Sequence, residues 1–249
     1  MRAYLLFLLV LSRLFWWDLL DKIRITVSWN WARRGIDREM SHRARGLFAV
    51  ARLAVGLHLR IDVDDRRMPS RILIIANHQS VIDIVAIMAA FRHHAVRFVA
   101  KRELRHWFPA VSRVLRVQRH ALISRSGDFA SAMKQIERLG RTIRDNEGAV
   151  IFPEGTRSRD GAVHTFHSGA VRRILASQPL PIVAVAVDGG IGISRMQDLV
   201  KMRRGHQFRI AVVAEFPPVT GKRELIEQLT VAETVIAETL AEWRERGYT

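Results

Sequence analysis

Hydrophobic and polar positions fall into two regimes along the chain. From Ala3 to Trp31 apolar residues dominate: AYLLFLLVL, then Phe15, Trp16 and Trp17, with no Gly or Pro to break a helix. The opening block is shorter than the roughly 18–20 residues that span a bilayer, and Arg13 and Asp18 interrupt it. No small-residue cleavage site follows, which argues against a secretory signal peptide. Phe15, Trp16, Trp17, Trp29 and Trp31 suit a membrane–water boundary, where amphipathic rings settle. A second helix is expected from about Asp37 to Val55, basic at its start and apolar later. The pair reads as a helical hairpin dipping into one leaflet, with Arg and Lys facing anionic head groups. Two core-packing helices are the plainer alternative.

From Leu57 onward the pattern alternates between short β-branched runs and helix-length segments. Strands are expected at Leu57–Val63, Arg71–Ala76, Val96–Ala100, His120–Ser124, Gly148–Phe152, Pro181–Val187 and Phe208–Phe216. Helices are expected at Ser80–Phe91, Trp107–Val117, Asp128–Asp145, from Ser168, and at Lys222–Arg246. Strands alternating with helices predict an α/β domain, with a mixed, largely parallel sheet flanked by helices. The division is residues 1–56 as a membrane-associating two-helix segment and 57–249 as the α/β domain. Asp64–Ser70 is a polar connection, too short to link independent domains.

Composition narrows the chemistry. The 249 residues suffice for one good-sized core. The absence of cysteine excludes disulfides, a thiolate nucleophile and a cysteine-bearing zinc site. A net charge of +16 draws anionic partners: nucleic acid, an acidic lipid surface or phosphorylated ligands.

Polar residues interrupt one apolar run, ILIIANHQSVIDIVAIM (Ile72–Met88). On one ideal helix His78 and Asp83 would stand roughly 140° apart. They meet if His78 lies in the turn after a strand and Asp83 in the first turn of the helix. The bland reading is local punctuation: Ser80-x-x-Asp83 as a capping box and Asn77 as a turn residue. The chemical reading makes His78 a general base on a substrate hydroxyl, with Asp83 fixing its tautomer.

A second feature, FPEGTRSRDG (Phe152–Gly161), carries Arg157, whose planar fork suits a phosphate, and Gly155, which lets the backbone approach a ligand. Its bland reading is a turn with surface arginines. Lys101, Arg102, Arg105 and Arg125 follow strands, where an α/β sheet collects ligands; singly, each reads as a solvated charge.

NHQSVID fits the NHxSxxD signature of the glycerolipid acyltransferases, and FPEGTRS, about seventy residues later, fits their second hallmark. The chain thus resembles the bacterial 1-acylglycerol-3-phosphate acyltransferase family over roughly Leu57–Val187. The N-terminal hairpin resembles the membrane-docking helices of bacterial members. The resemblance implies that His78 is the general base and Asp83 its orienting acid. It implies that Glu154, Gly155, Thr156 and Arg157 shape the acceptor site, with Arg157 on the phosphate and Lys101 and Arg125 nearby. It further implies direct acyl transfer from acyl-CoA or acyl-ACP to a lysolipid, with neither cofactor nor metal. The place implied is the cytoplasmic face of the inner membrane.

Three positions depart from the family pattern. Ser124 precedes Arg125 where an acid is usual. Phe166-His167-Ser168-Gly169 replaces Phe-Lys-x-Gly, and Val183-Ala184-Val185 replaces Val-Pro-Val. They leave the acceptor open, a lyso-ornithine lipid or another lysophospholipid included. A non-enzymatic membrane or nucleic-acid-binding module explains the charge but not the paired blocks, so no nucleic-acid partner is expected. A hydrolase using His78 and Asp83 with water is a third alternative; Ser80 is a poor nucleophile for one, since no G-x-S-x-G elbow surrounds it.

Overall fold

The computed structural model describes residues 2–102, 111–124, 129–193 and 195–247. The chain opens with two long helices, α1 (Arg2–Val27) and α2 (Trp29–Val55). Then follow β1 (His58–Asp62), β2 (Arg71–Ala76), α3 (Val81–Ala90), β3 (Ala95–Lys101), α4 (Val111–Val117), β4 (Ala121–Ile123) and α5 (Phe129–Thr142). The remainder is β5 (Glu147–Ile151), α6 (Ser168–Leu175), β6 (Ile182–Asp188), a 3₁₀ turn (Met196–Lys201), β7 (Gln207–Phe216) and α7 (Lys222–Glu245).

The strands form one seven-stranded sheet in the order β1-β7-β6-β2-β5-β3-β4. All neighbours are parallel except β6 and β7, so β7 and β1 run against the rest. The expected mixed, largely parallel sheet is the one observed. Its central strands read as unbroken apolar runs because both faces are covered. Along β2, Ile72, Ile74 and Ala76 join a core with α1, α2 and α3, while Leu73 and Ile75 join one with α5, α6 and α7. The sheet is therefore the middle of three layers. β2 lies between β5 and β6, so the loops leaving the carboxyl ends of these three strands are neighbours.

The N-terminal pair differs from the expectation at its joint. The second helix starts at Trp29 rather than near Asp37. The break is made by Ser28, an extended residue whose hydroxyl accepts the Trp31 N–H. A capping side chain interrupts the helix where no Gly or Pro stands. α1 is continuous through Arg13 and Asp18, and by length and composition it is long enough to cross a membrane. Its two faces differ. Leu6, Val10, Leu14 and Asp21 are buried, while Tyr4, Leu8, Phe15, Trp16, Leu19 and Ile23 are exposed. Asp21 is fully buried and takes a bidentate bond from Arg43 of α2, at 2.6 and 2.7 Å. Glu39 bridges Arg43 and Arg24 alongside. Removing one partner of such a buried pair costs about 3–5 kcal/mol, so the network fixes how α1 lies on α2.

Candidate active site

The two polar blocks meet at the carboxyl ends of β2 and β5. After β2 the chain turns at Asn77, whose buried side-chain amide imitates a peptide. Its Nδ2 donates to the Val187 carbonyl and its Oδ1 accepts the Val187 N–H, both at 2.8 Å. A simple turn residue was the sequence expectation; Asn77 instead extends the β2–β6 pairing by one rung and aims the next residue off the sheet.

That next residue is His78. Its Nδ1 lies 2.8 Å from Asp83 Oδ2. The same oxygen accepts the N–H groups of Gln79 at 2.6 Å and Ser80 at 2.7 Å. Ser80 caps α3, with its hydroxyl accepting the Ile82 N–H at 3.1 Å and donating to the Ile193 carbonyl. The capping box and the His–Asp pair are therefore one structure: the cap holds the carboxylate that faces the ring. Asp83 is fully buried, whereas the His78 side chain keeps 15% of its exposure. A carboxylate at Nδ1 makes that nitrogen the donor, and the neutral ring carries its basic lone pair on Nε2. Phe152 stacks on the imidazole at 3.9 Å between centroids and 13° between planes. Nothing in the sequence alone marked Phe152 for this task.

The second block holds His78 by its main chain. Glu154 Oε1 accepts the His78 N–H at 2.7 Å, and the Ser158 N–H donates to the His78 carbonyl at 2.7 Å. The other oxygen of Glu154 accepts the His164 N–H at 3.1 Å. Glu154 is buried, and burial pushes its carboxyl above the ordinary value against the pull of these N–H donors. Gly155 turns the loop with a left-handed φ of 70°, its N–H bonded to the Phe152 carbonyl. Thr156 is exposed and Arg157 half-buried, between residues pinned to His78 on either side. The structure thus brings His78, Asp83, Glu154, Gly155, Thr156 and Arg157 to one rim. Lys101 ends β3, but its side chain, like all of Arg125, lies outside the described residues.

The wall behind Asp83 comes from the loop after β6. A β-carbon on Gly190 would lie 2.5 Å from Ser80 Cβ and 3.0 Å from Asp83 Oδ1. The DGG run (Asp188–Gly190), directly after the apolar strand, is the signal the sequence carries for this wall.

Such a rim holds an imidazole of fixed tautomer beside a loop carrying an arginine. A family model described as "Acyltransferase" matches residues 60–188. A 1-acyl-sn-glycerol-3-phosphate acyltransferase of Cocos nucifera is 34% identical over 48% of this chain and 38% of its own length. A lyso-ornithine lipid O-acyltransferase of Rhizobium meliloti (strain 1021) is 33% identical over 55% of this chain and 46% of its own. The matched stretch thus spans less than half of either relative. The crystal structure of the 1-acyl-sn-glycerophosphate (LPA) acyltransferase PlsC from Thermotoga maritima superposes with a TM-score of 0.74. It covers 98% of this chain and 99% of its own at 21% identity, a likeness of fold.

Proposed function

The chain belongs to the acyltransferase family, and on that premise we propose that it moves an acyl chain from a thioester to the free hydroxyl of a lysolipid. The first-choice acceptor is 1-acylglycerol-3-phosphate, giving phosphatidic acid; the donor is acyl-CoA or acyl-ACP. The observation that carries the reading is the double hold on His78. Its ring is bonded to Asp83, and its main chain is gripped by Glu154 and Ser158 of the arginine-bearing loop.

In this mechanism Nε2 of His78 takes the proton of the acceptor hydroxyl as its oxygen attacks the thioester carbonyl. The imidazolium so formed is stabilised through Nδ1–H by Asp83. The tetrahedral intermediate collapses with loss of the C–S bond, and the leaving thiolate recovers the proton from His78. The acceptor supplies the nucleophile, so no acyl-enzyme forms. Arg157 grips the acceptor phosphate, with Gly155 and Thr156 beside it and Lys101 and Arg125 adding positive charge.

Residues 1–56 dock the protein on the membrane and 57–249 form the catalytic domain, at the cytoplasmic face of the inner membrane. The exposed apolar stripe of α1 enters one leaflet, and the +16 charge favours anionic head groups. A second acceptor, a lyso-ornithine lipid, is favoured by the likeness to the Rhizobium protein. The test is thiol release from both donors against a panel of lysolipids. Fastest transfer to lysophosphatidic acid is expected; no consumption of either thioester with any lysolipid would refute the proposal.

A further inference from the structure

Arg244, near the end of α7, reaches the same rim from the layer opposite the hairpin. Its Nε and Nη2 grip Asp188 in a bidentate pair, both bonds 2.8 Å, and Nη2 also donates to the Gly161 carbonyl at 2.9 Å. Asp188 ends β6 and is fully buried. We propose that Arg244, seated on Asp188, is a positioning residue: it fixes the far end of the loop that carries Arg157 and so sets where Arg157 stands relative to His78. The inference rests on the acyl-transfer reading.

The loop has two ends to secure. Its beginning is docked on His78 by Glu154 and Ser158. Its end is shaped by local bonds: the Gly161 N–H donates to Ser158 Oγ at 2.9 Å, and the Ala162 N–H to Asp160 Oδ1 at 3.0 Å. Bonds within the loop set its shape but not its place on the sheet. The Gly161 carbonyl bonded to Arg244 supplies that tie for 158–161, while Glu233 of α7, accepting the Phe166 N–H at 2.6 Å, holds the residues beyond. The fit is close: a β-carbon on Gly161 would lie 2.4 Å from Ile191 Cδ1 and 3.3 Å from Arg244 Nη2, at a φ of 83°.

The clamp also serves the other half of the site. Asp188 stands two residues before Gly190, which packs against Ser80 and Asp83. One guanidinium therefore ties the arginine loop and the wall behind the orienting acid to the same strand end. The planar fork matters. Two parallel N–H groups match the carboxylate and a further N–H serves the carbonyl, a pattern a lysine ammonium does not reproduce.

The alternative is a pair that stabilises the fold and nothing else. Arg244→Gln and Arg244→Lys in the full chain distinguish the two by steady-state kinetics and hydrogen exchange. Arg244→Gln is expected to raise KM for lysophosphatidic acid about tenfold, as a small misplacement of a binding group does. KM for the thioester donor should hold, a phosphate-free lysolipid should be affected far less, and Arg244→Lys should recover part of the loss. Amides of 154–163 should exchange faster while those of β2 do not change. Equal effects on both acceptors, or unchanged exchange in the loop, would overturn the inference. Should Arg244→Gln not fold, Arg244→Lys alone reads both signals. If the unaltered chain transfers to no acceptor, the acyl-transfer reading fails, and the exchange of 154–163 still reports on the clamp.

Discussion

Glu154 accepts a hydrogen bond from the main chain of His78, 2.7 Å from Oε1 to N, across 76 positions of sequence. The second block of the chain thus acts on the first through the backbone, by Glu154 and Ser158, and through the ring, which Phe152 stacks on while Asp83 holds its Nδ1. Division of labour follows. Glu154 and Ser158 set where His78 is, and Asp83 sets which nitrogen is basic.

Asp83→Asn separates the cap from the chemistry. The amide oxygen still accepts the N–H groups of Gln79 and Ser80, so unfolding free energy should fall by no more than about 1–2 kcal/mol. The charge that stabilises a protonated His78 is lost, and kcat should fall by about 10²–10⁴-fold. Denaturant melts and turnover on the same preparation check this. A loss of stability with unchanged turnover per folded molecule would leave Asp83 as a cap alone.

Gly190→Ala adds one methyl group where Ser80 Cβ would be 2.5 Å away. Overpacking of this kind costs about 1–3 kcal/mol, and the group that must move is the mount of Asp83. The variant should lose kcat well below its melting temperature while donor KM holds. Gly46→Ala, with no atom within 4 Å of its new methyl, is the control and should gain about 0.5–1 kcal/mol.

Leu8 and Trp16 are 61% and 57% exposed on the apolar stripe of α1. Leu8→Glu with Trp16→Glu should weaken partition onto anionic vesicles by tenfold or more, since each buried apolar side chain contributes about 1.5–3 kcal/mol. Melting in detergent-free buffer should hold, because neither side chain packs in the core. Vesicle sedimentation at low and high salt reads the apolar and ionic parts separately.

His120 makes the fold acid-sensitive. Its Nδ1 accepts the Phe98 N–H at 2.9 Å and its Nε2 lies 3.2 Å from Gln118 Oε1, so the buried ring is held neutral. Burial, then the charge of Arg97, lowers its pKa from 6.5 to about 3. The unfolded chain binds this proton and the folded chain does not. The stability contribution is therefore complete above pH 6.5 and is lost as pH falls from there toward 3. The slope from this one group reaches about 1.4 kcal/mol per pH unit. His120→Asn should flatten that stretch of the profile in urea titrations at stepped pH; an unchanged slope would remove His120 as its source.

Local relationships were legible in the sequence, and distant ones were not. β2, β5 and β6 stand out as β-branched runs because they are buried on both faces. The His78–Asp83 pair was legible because strand, turn and helix follow within one short stretch. The Ser28 joint was hidden, since a capping hydroxyl carries no Gly or Pro to announce it. The reversed direction of β7 was hidden because an apolar run looks the same in either direction. Asp21 with Arg43, and Asp188 with Arg244, lie 22 and 56 positions apart. Only the packed layers bring such partners together, and nothing in the linear pattern sets these charges apart from others.

The central claim is that His78 is the base in acyl transfer to a lysolipid hydroxyl. Its most direct test is single-turnover transfer from acyl-CoA or acyl-ACP to lysophosphatidic acid by His78→Ala beside the unaltered chain. The account predicts a loss of at least about 10²-fold, with melting temperature and vesicle partition unchanged. Transfer by His78→Ala at the unaltered rate would contradict it.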